Sequence, residues 1–350
     1  MVYGLKIDKK YGKPVKGLLK RKKLYEDSYL PLIKADKIIF PLRTKNDDSI
    51  KEIEKYTREY SIKNFKFKLN KRTRSFRREL EKVLPQKIFN RASRAYEQIG
   101  DVAIITIFPE MLPYQEKIAE SLLETNKGLR LVIKKTDKHS GKKRTQNYEI
   151  LKGKGSTETT HLENGVKINL DINKVYFSAR TANERKRVAS LIKNNENVLV
   201  LFSGCAPYPL VISKNSLAQK IICIDNNPDA HEYARINIQK NNADNIKAIL
   251  GDVEKEIKNL KKEFDRIIMP HPTEADYYFA DALKVLRKNG IIHLYLFSKK
   301  EKINMVKNKV KNMARDNNFF VKKIVVNEQL HVSSEVKKYC FDIYLKSLVN

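Results

Sequence analysis

The sequence predicts an α/β protein: a Rossmann-like, doubly wound C-terminal sheet preceded by two smaller α/β or α+β units. Two patterns carry this reading. From about residue 174 onward, short and nearly continuous apolar strands alternate with helices, as parallel strands buried on both faces require. Before that point the strands are shorter, Pro and Gly interrupt them, and basic residues crowd into two stretches. The expected divisions are 1–60, 61–172 and 173–350, without an internal repeat or a long linker.

In the first division, 35–42 (ADKIIFPL) reads as a strand and 47–60 as a polar helix capped by Asp47, with Pro14, Pro31 and Pro41 as punctuation. In the second, 72–83 reads as a basic amphipathic helix closed by Pro85. Residues 102–108 (VAIITIF) read as a buried strand ended by Pro109, and 113–126 as a helix. Strands are expected at 129–134, 146–151 and 166–170. Residues 153–160 form a Gly/Ser/Thr turn region; its GKGST run lacks the GxxxxGK[ST] spacing of a phosphate loop. In the third division, helices at 183–193, 230–241, 274–285 and 302–317 alternate with strands at 197–202, 220–224, 247–250, 264–269 and 290–297. Two further strands, 319–326 and 339–346, look antiparallel.

The chain carries 71 Lys+Arg against 41 Asp+Glu, so 71 − 41 = +30. The charge is uneven. Residues 196–297 hold 13 basic and 13 acidic side chains, and 298–350 hold 12 and 5, or +7, which leaves 30 − 7 = +23 for 1–195. Within that part, 61–94 has 12 basic and 2 acidic residues, and 127–154 has 10 and 2. This concentration points to a nucleic acid as partner. No apolar run approaches the ~20 residues of a membrane span. Three scattered cysteines (Cys205, Cys223, Cys340) exclude a disulfide scaffold and fit a reducing cytoplasm. No HExxH or CxxC spacing points to a metal.

The neutral stretch reads as a cofactor domain. An open α/β sheet binds ligands beyond the carboxyl ends of its strands. There the sequence places the turn 202–207 (FSGCAP), Asp225 after the second strand and Asp252 after the third. A carboxylate at the second position can accept from both ribose hydroxyls. An acid at the third can accept from an adenine amino group. The turn holds a single glycine, Gly204, and continues into Ala206-Pro207. A diphosphate needs several close backbone approaches, so S-adenosyl-L-methionine (AdoMet), which has no phosphate, is favoured over a dinucleotide.

Several stretches together resemble one family: the archaeal and eukaryotic tRNA (guanine-N1)-methyltransferases that act at position 37, beside the anticodon. Residues 174–187 (KVYFSARTANERKR) are similar to its VYFSPRLxxERxR block, the most specific piece. Residues 201–208 (LFSGCAPY) are similar to its MFAGVGPF turn, 224–241 to its second cofactor motif and 251–253 (GDV) to its third. Residues 96–105 (YEQIGDVAII) and 144–151 (RTQNYEIL) match two upstream signatures. The resemblance runs from about residue 65 to the end.

The resemblance implies an AdoMet-dependent enzyme forming N1-methylguanosine in tRNA. Deprotonation of N1 needs a base, and charge building on O6 needs a cation; it assigns these roles to Glu184 and Arg144, with Tyr176 positioning the target. Arg185, Phe202, Gly204, Asp225, Asn226, Gly251, Asp252, Val253 and Pro270 would hold the cofactor. The N-terminal 1–60 unit would read the outer corner of the tRNA, the basic 61–172 unit would clamp it near the anticodon loop, and the protein would act as a monomer. The alternative for Glu184 is a surface salt bridge with Arg185 or Arg187. Val200 stands where the first strand usually has an acid, Ala179 and Thr181 replace Pro and Leu, and Met269-Pro270-His271-Pro272 replaces an NLP core. These departures suggest a divergent branch. One branch also methylates C7 of the tricyclic wyosine precursor, and a related branch transfers the aminocarboxypropyl group of AdoMet. A non-catalytic RNA-binding protein with a degenerate cofactor fold remains the contrasting reading.

Overall fold

The computed structural model describes residues 2–45, 48–68, 76–91, 96–136, 147–333 and 335–348. They fall into two compact units, Met1–Phe89 and Asn90–Asn350.

The first unit is built on a four-stranded antiparallel sheet. Its elements are β1 (Val2–Asp8), α1 (Gly12–Arg21), β2 (Leu32–Lys34), β3 (Lys37–Pro41) and β4 (Ser61–Phe65), followed by α2 (Phe76–Val83) and α3 (Gln86–Arg91). The sheet order is β2-β3-β1-β4. In α1, Val15, Leu18 and Leu19 form the i, i+3, i+4 stripe that closes over Leu5, Ile7 and Phe40. The helix expected at 47–60 is a 3₁₀ helix over Asp48–Lys55. Ile50 and Ile53 are buried three residues apart, the period of that tighter coil. The proposed cap Asp47 and the start of the basic helix at 72–75 lie outside the described residues, as does Arg144.

The second unit opens with β5 (Glu97–Ile99), β6 (Val102–Ile105), α4 (Gln115–Thr125), β7 (Leu131–Lys135) and β8 (Tyr148–Gly153), a small sheet in that strand order. A hairpin of β9 (Glu158–Glu163) and β10 (Val166–Asp171) follows. Its turn is Asn164-Gly165, both with positive φ (47° and 82°), the pair a type I′ turn demands. The turn region expected at 153–160 therefore ends early, since β9 already starts at Glu158. The GKGST run wraps a cation, not an anion: Arg130 Nη1 donates to the carbonyls of Lys154 and Ser156.

The large sheet then forms from α5 (Ala182–Ser190), β11 (Asn197–Leu201), α6 (Pro207–Asn215), β12 (Lys220–Asp225), α7 (Pro228–Lys240), β13 (Ile246–Leu250), α8 (Val253–Glu256), β14 (Phe264–Met269), α9 (Phe279–Val285), β15 (Leu286–Lys299), α10 (Ile303–Asp316), β16 (Phe319–His331) and β17 (Val336–Ser347). The order is β13-β12-β11-β14-β15-β17-β16, with β17 antiparallel to both neighbours and the other pairs parallel. Alternate residues of each strand face opposite layers. Val198 and Val200 pack with α5, α6 and α7; Leu199 and Leu201 pack with α9 and α10. Val200 is fully buried, so the position where the family has an acid is core here. Ile104, Ile133 and Ile168 share the core of Val198 and Val200. The expected boundary at 172–173 thus falls within one hydrophobic core.

The helix α6 was not expected. At its first turn the missing N–H groups of Pro207 and Pro209 cost no helical bond, and Leu210, Val211 and Ile212 are buried behind them.

Candidate active site

The order of the large sheet reverses between β12-β11 and β14, and a cavity of about 350 Å³ opens there, past the carboxyl ends of the strands. Its floor is the turn after β11. Phe202 (φ 54°), Gly204 (56°) and Ala206 (67°) all take left-handed backbone, two of them at a cost of ~1–2 kcal/mol each as non-glycines. The turn is held by Ser203 N–H donating to Ile224 O (3.0 Å) and Ala206 N–H to Ser203 O (3.1 Å). Because α6 then begins Pro-Tyr-Pro, two of its first three residues have no N–H to offer an anion.

Asp225 ends β12 on the cavity wall. Its carboxylate accepts from Gly204 N–H (2.7 Å) and Asn227 N–H (2.9 Å). Two of its roughly four acceptor sites remain for a ligand diol. Burial raises its pKa despite those two bonds. Asp252 caps α8 through Glu254 N–H (2.8 Å) and also lines the cavity, as do Asn226, Val253 and Pro270. Of the expected cofactor set, Gly251 is not on the wall; its N–H donates to Asp225 O. Opposite, the ring of Phe202 lies 4.9 Å from that of His271 and 5.4 Å from that of Tyr278.

The third wall is the stretch 174–187. Asn227 Nδ2 donates to Lys174 O (3.0 Å), and Tyr176 is half exposed on the cavity. Arg185 is buried and also lines it. Glu163 grips it through Nε and Nη2 (2.5 Å each), while Nη1 donates to Thr181 Oγ1 and Nη2 to Ser178 O. Thr181, one of the departures, is therefore part of the clamp. Burial alone would raise the Glu163 carboxyl, but hydrogen bonds from His161 and Arg185 outweigh it and hold it below its ordinary value.

Glu184 is not on the cavity wall. It is buried and accepts from Arg187 Nε (2.7 Å), Arg187 Nη2 (2.8 Å) and Tyr295 Oη (2.6 Å). The salt bridge weighed as its alternative role exists, with Arg187, whose side chain is half-buried while Glu184 is buried. Arg187 also donates to Asp342 (2.7 Å from Nη1 to Oδ2). Asp342 accepts from His293 Nδ1–H (2.6 Å), and His293 Nε2 accepts from Arg266 Nη1 (2.8 Å). His293, Cys340 and Asp342 bring ligand-type atoms within 4.8 Å of one another. Both imidazole nitrogens are engaged, however, and two guanidinium groups already supply the positive charge, so the cluster is a hydrogen-bonded network.

Glu163, Tyr208, Tyr295 and Asp342 were missed by sequence reasoning. The Asn164-Gly165 hairpin signal could have drawn attention to Glu163. His293 and Asp342 stand out only as polar residues inside otherwise apolar strands.

A TRM5/TYW2 methyltransferase domain model matches residues 159–322, and a TYW2 N-terminal domain model matches 76–157. The chain is 31% identical over 300 residues to a tRNA (guanine(37)-N(1))-methyltransferase Trm5b of Methanocaldococcus jannaschii, covering 84% of this chain and 86% of that protein. It is 34% identical over 229 residues to the Trm5b of Pyrococcus abyssi, covering 65% and 67%. The crystal structure of the latter matches with a TM-score of 0.73 at 26% identity, over 99% and 100% of the two chains. A complex of aTrm5 with tRNALeu matches at 0.70 and 26%, over 97% and 99%. Pyrococcus horikoshii TYW2 bound to MeSAdo matches at 0.66 and 26%, over 77% and 98%.

Proposed function

The chain belongs to the TRM5/TYW2 methyltransferase family, and from that membership we propose that it transfers the methyl group of AdoMet to N1 of guanosine at tRNA position 37. One observation carries the reading. The 174–187 stretch, whose pattern is the family's most specific, walls the same cavity as Asp225 and Asp252. Bound AdoMet supplies an electrophilic methyl group. The residues fit it: an acid stands at the ribose position, and the turn offers few amides to a phosphate.

In the proposed division of labour, Asp225 holds the ribose and Asp252 the adenine edge. Arg185, Phe202, Gly204, Asn226, Val253 and Pro270 complete the donor site, while Gly251 acts from behind the wall through its bond to Asp225 O. The target base leaves its stack at a cost of a few kcal/mol. Tyr176 positions it, the Arg144 guanidinium stabilises charge on O6, and Glu184 takes the N1 proton. The basic stretches 61–94 and 127–154 hold phosphates around the anticodon loop, and the N-terminal unit reads the outer corner. The proposed setting is a monomer in the cytoplasm; the buried free thiols Cys205, Cys223 and Cys340 support a reducing compartment.

The test is incubation with methyl-labelled AdoMet and unmodified tRNA bearing guanosine or inosine at position 37, followed by nucleoside mass spectrometry. N1-methylguanosine is expected; no methyl on guanosine would sink the reading. A second reading, transfer to C7 of the wyosine precursor as methyl or aminocarboxypropyl, draws on Pro270 and His271, which line the cavity where the family has Asn and Leu. Carboxyl-labelled AdoMet separates the two groups, because only aminocarboxypropyl transfer carries that label into RNA.

A further inference from the structure

We propose that Tyr208 and Tyr295 form a two-hydroxyl relay that carries the target's proton from the cavity to the buried Glu184. The inference rests on the methyltransferase reading and deepens it. If Glu184 is the base, the structure poses a problem, since the residue is only 5% exposed and off the cavity wall. Tyr208, by contrast, lines the cavity. Its Oη–H donates to Tyr295 Oη (3.0 Å), and Tyr295 Oη–H donates to Glu184 Oε1 (2.6 Å). The two hydroxyls and the carboxylate thus form an unbroken line of hydrogen bonds all pointing inward, the direction a proton must take. Burial pushes both phenols far above their ordinary pKa, so each keeps its proton until another replaces it.

The step balances. The guanine N1–H bond breaks and its proton passes to Tyr208 Oη, the Tyr208 proton to Tyr295 Oη, and the Tyr295 proton to Glu184. The lone pair left on N1 forms the N1–CH₃ bond as the S–CH₃ bond breaks, leaving a neutral thioether. Both phenols end as they began, and Glu184 ends as a neutral acid. The surroundings accommodate that change. Arg187 is shared between Glu184 and Asp342, so losing one carboxylate charge leaves a matched pair in place of an orphaned cation.

The experiment measures single-turnover methyl transfer to tRNA bearing guanosine at position 37. Tyr208→Phe is expected to slow it about 10²-fold, at the low end of general acid–base contributions. AdoMet affinity by equilibrium dialysis without RNA, and the thermal midpoint, should stay near those of the unaltered protein. Phe is the residue the family's turn carries at this point, so the substitution is mild for the fold. Glu184→Gln should be slow, and Tyr208→Phe/Glu184→Gln should be no slower than Glu184→Gln alone, because both act on one proton. In mixtures of light and heavy water the unaltered protein should give a curved rate dependence, reflecting several protons in flight. Tyr208→Phe within threefold of full rate, multiplying effects in the double variant, or a linear solvent dependence would each overturn the relay while leaving the methyltransferase reading intact. If the unaltered protein forms no N1-methylguanosine, that reading falls and the relay with it.

Discussion

His293 is fully buried, with Asp342 on one ring nitrogen, Arg266 on the other and Arg187 nearby. Burial, then the two arginines, depress its pKa below 6.5 against the pull of Asp342. Below about pH 6.5 the unfolded chain binds a proton that the folded chain refuses, so stability falls as pH drops. Asp342 acts in the same direction at lower pH. Burial would raise its carboxyl, but hydrogen bonds from His293 and Arg187 hold it well below its ordinary value. Its contribution is complete above about pH 4 and is lost as pH falls from there through the folded value. Thermal midpoints should therefore decline between pH 7 and pH 5, and His293→Gln should flatten that interval whatever its effect on absolute stability. A curve parallel to that of the unaltered protein would remove His293 as the cause. Tyr339 makes a contrasting case, for its hydroxyl is buried without a partner among the described residues. Tyr339→Phe should leave the midpoint unchanged or raise stability by about 1 kcal/mol; a clear loss would mean the hydroxyl is bonded. At this scale the sequence was legible in position where a residue follows a strand end: Asp225 and Asp252 both stand on the cavity wall. It was not legible around Glu184, whose environment is assembled from Tyr295, 111 residues away, and Asp342, 155 residues from Arg187.

The turn between β5 and β6 shows what a short signature does physically. Gly100 has φ +57°, and a Cβ there would meet Thr159 Oγ1 at 2.2 Å and Thr160 O at 2.5 Å. Beside it, Asp101 accepts from Thr159 Oγ1 (2.7 Å) and Arg130 Nε (2.9 Å). The IGD run thus docks the small sheet onto the β9–β10 hairpin. Gly100→Ala should cost more than about 2 kcal/mol by denaturant unfolding, since it adds left-handed strain to a backbone clash; a loss under 0.5 kcal/mol would mean the hairpin yields freely. Elements with strong periodicity, such as β11, β12, β14 and α10, were readable to within a few residues. Hairpin β9–β10 was only half read and α6 was missed, because in one case polar alternation and in the other an opening Pro-Tyr-Pro hid the pattern. The long β16–β17 hairpin outran its expected span because lysines interrupt the apolar run.

Over the whole molecule, charge is spread unevenly along the chain. The +23 before residue 196 and the neutral 196–297 stretch predict unequal responses to salt. Between 50 and 200 mM salt, tRNA affinity should fall about 10³-fold or more if six to ten phosphates are contacted. AdoMet affinity, governed by a sheltered cavity, should move less than about twofold. Equal sensitivity in the two titrations would contradict this division. The overall architecture was legible because charge and strand rhythm vary over tens of residues; the compact units were not, because shared packing leaves no mark in composition. Ile104, Ile133 and Ile168 lie in the same core as Val198 and Val200. Anyone grafting the N-terminal part of a relative onto this chain therefore has to choose the splice point by packing. A chimaera joined near residue 90 exchanges a self-contained module, whereas one joined at 172 asks two foreign surfaces to knit a single interior.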